Sequence, residues 1–254
     1  MKALWLDAEQ ADLRYHDIPG SSPPLLFLHG LGCASSCDYP TVAGDAALSG
    51  RRRLLIDLLG SGFSDRPTSF AYTIDAQART IATLVDRLAL DSVDVFGHSM
   101  GGSIAITVAH LLGDRVRRLV VGEPNLDPGG GLASSVIAAT TESNYVAHGH
   151  DHLVRASRAD GNATWAMSLS QSAPWAVHRG AKSLVAGGSP TWREMIYSRR
   201  GPKTLLFGSK SLPDPDTERL PRAGVSVAIV PEAGHAMAWQ NPSGLAAAIA
   251  QALA

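Results

Sequence analysis

Gly97-His98-Ser99-Met100-Gly101 sets a serine between glycines two places away on either side. Such spacing allows a sharp backbone reversal that no Cβ obstructs, and it leaves the hydroxyl standing out from the turn. A run of β-forming residues, Val93-Asp94-Val95-Phe96, precedes the turn, and a helical run, Ser103 to Ala109, follows it. Strand, turn and helix in that order are the setting in which G-x-S-x-G presents a nucleophile. A serine hydroxyl attacks poorly until a base takes its proton. Of the 9 histidines, His235 is the candidate, because it follows the last apolar run in Pro231-Glu232-Ala233-Gly234-His235. The imidazole in turn needs a carboxylate to fix its tautomer and to stabilise its charged form. Two regions offer one: Glu123 in Gly122-Glu123-Pro124-Asn125, and Asp214 or Asp216 in Pro213-Asp214-Pro215-Asp216. Glu123 is favoured, since one helix, one turn and one strand separate it from Ser99, and a charge directly after a buried strand is costly unless it is used.

Groups this far apart in sequence need a frame to bring them together. Residues 11–18, 24–28, 54–57, 93–96, 115–121, 203–208 and 225–230 read as strands, several of them continuous apolar runs of the kind buried on both faces. Ile74, Ala78, Ile81, Leu84, Val85 and Leu88 recur at helical spacing within 73–89, and the Ala-rich stretch 244–254 forms a final helix. Strands alternating with helices imply βαβ crossovers and a mostly parallel sheet, an α/β fold whose carboxyl edge carries the site. Residues 126–200 break the alternation with a long helical stretch. The chain therefore divides into a first core part (1–125), a helical cap inserted over the sheet edge (126–200) and a second core part (201–254). Trp165, Met167, Trp175 and Trp192 in the cap are candidates for lining a substrate pocket.

His29-Gly30, the Asp57…Gly60-x-Gly62-x-Ser64 loop, the Ser99 turn and Gly234-His235 follow one another in an order that resembles the α/β-hydrolase superfamily. The resemblance spans nearly the whole chain. It implies an α/β-hydrolase fold, a mostly parallel twisted sheet flanked by helices, with an inserted helical cap. It also implies an oxyanion hole made by the backbone N–H groups of Leu31 and Met100. In most members an Asp stands three residues after the glycine that ends the penultimate strand; here that glycine is Gly208 and the position holds Ser211. Certain lactone hydrolases instead place the acid where Glu123 stands. A serine nucleophile separates the chain from the dehalogenase and epoxide hydrolase branches. The expected activity is hydrolysis of a carboxylic ester or lactone through an acyl-enzyme, with C–C bond hydrolysis, cofactor-free perhydrolysis or a ligand-binding, receptor-like role as rivals.

Neither a metal nor an organic cofactor is called for. His148, His150 and His152 lack a spacing that would converge their rings, and Cys33 and Cys37 have no second pair to complete a metal site. His98 is expected to be structural, His29 to prop the oxyanion loop, and Arg51-Arg52-Arg53 to be a solvated flank. A net charge of -1 among 254 residues gives no reason to expect nucleic acid or an anionic membrane as partner, and the expected partner is a small-molecule ester or lactone. Without an apolar leader at Met1-Lys2-Ala3-Leu4-Trp5, the expected location is the cytoplasm.

Overall fold

The computed structural model describes residues 1–254. Eight strands form one sheet: β1 (Lys2–Leu6), β2 (Ala11–Ile18), β3 (Ser21–Leu28), β4 (Arg51–Ile56), β5 (Val93–His98), β6 (Val116–Gly122), β7 (Lys203–Gly208) and β8 (Ser226–Val230). Their spatial order is β1-β2-β4-β3-β5-β6-β7-β8. β1 and β2 pair antiparallel with each other, as do β2 and β4, and every pair from β4 onward is parallel.

The period of two along each strand divides the sheet into two apolar faces. Leu26, Leu28, Val95, Val121, Leu205 and Phe207 belong to one core with the helices Ile74–Arg87 and Met100–Leu112. Leu25, Phe27, Phe96, Val120, Leu206 and Val230 belong to a second, closed by the helix Pro242–Ala252. Phe27, Tyr39 and Phe96 pack ring against ring there at 5.3–5.7 Å. The sheet is thus covered on both sides, which is why its strands read as unbroken apolar runs.

Three features differ from the sequence expectation. β1 is not among the expected strands, because four of its five residues are exposed or half-exposed and KALWL carries no clean alternation. β3 begins at Ser21, with Pro23 and Pro24 within it. The Arg51–Arg53 run is no solvated flank but the first half of β4. Arg52 grips Asp17 through two bonds of 2.9 Å, Arg51 meets the fully buried Asp94 at 3.2 Å, and Arg53 is buried against the Ala43 carbonyl.

Between β6 and β7 lie the helices Leu132–Ala138, His150–Ala159, Ala163–Ser170, Pro174–Ala186 and Trp192–Ser198. They hold a small core of their own, Ile137, Ala138, Tyr145, Leu169, Val177 and Ala181, against which Leu31 from the loop after β3 also packs. No helix in the chain is long and apolar enough to cross a membrane.

Candidate active site

All the candidate groups stand where strands end. β5 stops at His98, and Ser99 follows with φ 54° and ψ −123°, a conformation that side chains rarely adopt. The crowding explains the flanking glycines: a Cβ on Gly97 would strike the Gly101 carbonyl, and one on Gly101 would strike the carbonyl of Leu28. β6 stops at Gly122, and Glu123 follows, again at positive φ (39°). The Ser99 N–H donates to the Gly122 carbonyl at 2.9 Å and the Glu123 N–H to the Leu206 carbonyl at 3.0 Å, so both bends are locked to neighbouring strands.

Glu123 reaches back across the sheet edge. Its Oε1 accepts the Gly208 N–H at 2.9 Å, and its Oε2 accepts the His235 Nδ1–H at 2.7 Å. Burial pushes the Glu123 carboxyl upward, but hydrogen bonds from His235, the Gly208 N–H and the Ser211 hydroxyl outweigh it and hold the group below the usual carboxylate range. Ser211 thus stands three residues after Gly208 and helps to keep the carboxyl beyond the neighbouring strand ionised. The two alternative acids are engaged elsewhere. Asp216 takes two hydrogen bonds of 2.9 Å from Arg193, which also binds Asp127, and Asp214 accepts the Asp216 N–H at 2.8 Å.

His235 is the outermost of the group, with 58 % of its side chain exposed, and another histidine steadies it. His98 donates from Nε2 to the His235 carbonyl oxygen at 2.7 Å, and the two rings lie 4.6 Å apart. Burial, followed by the proximity of His235, lowers the His98 pKa to about 3, so the ring is neutral at physiological pH. The sequence expectation gave His98 a structural part; its contact with His235 could not be foreseen from the elbow alone. His29 lies fully buried, accepting the Leu58 N–H at Nε2 (3.0 Å) and donating from Nδ1 to the Gly30 carbonyl (2.9 Å). Burial lowers its pKa, consistent with a neutral ring holding the loop after β3.

A cavity of about 640 Å³ opens over this edge. Ser99, Glu123, His235, Leu31, Asp214 and Asp216 all line it. The Ser99 Oγ makes no hydrogen bond within the protein, a common state before substrate tightens such a site. Met100 opens its helix, a position whose N–H has no intrahelical acceptor, and the Leu31 N–H donates to no protein atom. Both are therefore free donors near Ser99.

Of the four apolar pocket candidates, Trp165 lines the cavity. Met167 is 55 % exposed, Trp192 is buried in the main core, and Trp175 packs against that core from outside. Their helices turn these side chains away from the opening, which periodicity without a known helix phase could not reveal. His150 is buried against Tyr145 while His148 and His152 are exposed, so the three rings diverge. One lining residue carries no signal in the sequence: Asp38, 6 % exposed, whose Oδ1 finds no partner. Burial raises its pKa to about 7, against smaller opposing effects from the Cys33 thiol and the Trp239 indole.

Comparison with known proteins agrees with this architecture. Haloalkane dehalogenase 2 of Mycobacterium tuberculosis is 36 % identical over 143 residues, covering 56 % of this chain and 49 % of that protein. The chain matches about half the length of this relative. Among solved structures, a thermophilic esterase from Thermogutta terrifontis superposes with a TM-score of 0.83 at 19 % identity, covering 100 % of this chain and 98 % of the other. The enol-lactonase from Burkholderia xenovorans LB400 gives 0.81 at 18 % identity, with 99 % of both chains covered. Residues 23–173, more than half of the chain, match the family model for the alpha/beta hydrolase fold, and the chain belongs to that family.

Proposed function

We propose that this protein is a serine hydrolase that cleaves a carboxylic ester or lactone through an acyl-enzyme, with Ser99 as nucleophile, His235 as base and Glu123 as the acid. The observation that carries the reading is the 2.7 Å bond between His235 Nδ1 and Glu123, on an imidazole that shares one cavity with a strained serine. In the reaction, the Ser99 proton passes to His235 Nε2 as Oγ bonds to the substrate carbonyl carbon. The carbonyl oxygen becomes an oxyanion, held by the N–H groups of Leu31 and Met100. Collapse breaks the bond to the leaving oxygen, which takes the proton from His235. Water then repeats the sequence on the acyl-enzyme and frees the acid. A lactone would leave as one hydroxy acid.

The cavity walls disfavour an anionic substrate. Asp38, Glu123, Asp214 and Asp216 face the cavity, and none of its lining residues is a lysine or arginine that could pair with a substrate carboxylate. Reaction with a fluorophosphonate, together with initial rates on p-nitrophenyl acetate for wild type and Ser99→Ala, tests the proposal. Labelling and turnover that both vanish in the variant support it. Wild-type protein that neither labels nor hydrolyses any activated ester would overturn it.

A further inference from the structure

The loop that carries the Leu31 N–H does not stand alone. The Trp165 Nε1–H, from the helix Ala163–Ser170, donates to the Leu31 carbonyl oxygen at 3.0 Å. The next residue, Gly32, has φ +67°, and Leu169 of the same helix packs so closely over it that a Cβ there would lie 2.6 Å from Leu169 Cδ1. A second helix, Pro174–Ala186, presents Gly180 to both candidate oxyanion residues: a Cβ at Gly180 would meet Leu31 Cδ1 at 3.2 Å and Met100 Sδ at 3.3 Å. Leu31 is thereby built into the small core of the helical segment.

From this packing we infer that Trp165 is a positioning residue for the oxyanion hole, through which the docked helical cap sets the direction of the Leu31 N–H. The inference rests on the serine hydrolase reading above. The Leu31 N–H lies in the Gly30–Leu31 peptide plane, whose carbonyl is held by His29 Nδ1 at 2.9 Å and by the Cys33 N–H at 3.2 Å. The Trp165 bond holds the next plane, Leu31–Gly32, whose glycine is confined by Leu169. Only φ and ψ of Leu31 relate the two planes, so holding the second limits how far the first, with the Leu31 N–H in it, can turn. The half-buried Leu31 side chain, packed against the helical segment, restrains both torsions. An oxyanion donor contributes through its direction as much as its presence, because the charge it must meet develops at a point about 3 Å away. A cap that merely covered the pocket would affect which substrates enter. One that holds Leu31 affects how fast any bound substrate reacts.

Trp165→Phe deletes the indole N–H while keeping an aromatic ring at the site. On p-nitrophenyl acetate, an ester small enough to depend little on the cap for binding, kcat should fall about 10- to 100-fold with KM nearly unchanged. The affinity for a boronic acid that forms a tetrahedral adduct with Ser99 should fall by a similar factor, and the melting temperature should stay close to wild type. A wild-type kcat in Trp165→Phe, or a loss confined to KM, would overturn the inference while leaving the serine reading intact. Wild-type protein that does not label with a fluorophosphonate would overturn that reading, and the assigned role of Trp165 with it.

Discussion

The turn after β6 and the loop after β7 both bring carboxylates to the same cavity, yet only one of them serves the imidazole. At the first, Glu123 is held by a backbone N–H and a serine hydroxyl and has one oxygen left for His235. At the second, both oxygens of Asp216 are taken by Arg193, which joins it to Asp127 across the root of the helical segment. The difference teaches what a carboxylate needs in order to act on a base. Neutral donors hold its charge and its orientation while leaving the imidazole as its only cation. A guanidinium neutralises the same charge and spends both oxygens on structure. Asp38 is a third case, with no cation and a partnerless oxygen, and there burial prevails.

Exchanging the two groups' fates is the strongest way to break this comparison. Glu123→Gln keeps the shape but removes the charge and leaves His235 without an acceptor of fixed orientation; kcat on an activated ester should drop about 10³- to 10⁴-fold. A kcat near wild type would return Glu123 to a structural part. Asp38 should have the next largest effect, on stability rather than rate. Its folded-state pKa is raised, so the stability it contributes is present below the unfolded value of about 4 and is lost as pH rises through about 7. Asp38→Asn should therefore gain on wild type by a few kcal/mol between pH 4 and 8 in urea unfolding. A difference that does not change with pH would refute the assignment.

Asp216→Asn should leave kcat near the wild-type value and cost about 1–3 kcal/mol of stability, the value of a hydrogen bond to a charged group. Chemical denaturation measures this, and a collapse of kcat would make Asp216 the acid. The smallest effect belongs to Ser211→Ala. Losing one donor to Glu123 should lower kcat about fivefold. Since the Ser211 hydroxyl helps to hold Glu123 below its ordinary range, the same loss should move the Glu123 titration to higher pH. Carboxyl NMR of wild type and variant reads this, and an unmoved midpoint would remove Ser211 from that role.

Most of the frame, the Ser99 elbow and the place of His235 after the last strand could be read directly from the residues. Sterics dictate Gly97 and Gly101, so the elbow announces itself, and the apolar runs of β3, β5 and β7 follow from burial on both faces. For the proposed acid the residues favour Glu123 without excluding Asp214 or Asp216, because the engagement of Asp216 depends on where Arg193 lands, and Arg193 lies in a helix of another part of the chain. The His98–His235 contact, the bond from Trp165 to Leu31 and the burial of Asp38 are equally tertiary: each joins segments whose relative placement no local pattern encodes. The apolar residues of the helical segment between β6 and β7 illustrate the same limit. Trp165, Met167, Trp175 and Trp192 look alike in sequence and have four different surroundings in the fold.

The positive φ angles of Ser99 and Glu123 also bear on how such a protein can change over time. Both sites hold backbone shapes in which glycine sits without strain, and a residue with a side chain there costs on the order of 1–3 kcal/mol. Selection for robustness alone would move each position toward glycine and would yield a sturdier chain with nothing to attack a substrate and nothing to steady its base. Ser99→Gly and Glu123→Gly should therefore relieve backbone strain at the two bends even as they remove the side chains that stand there.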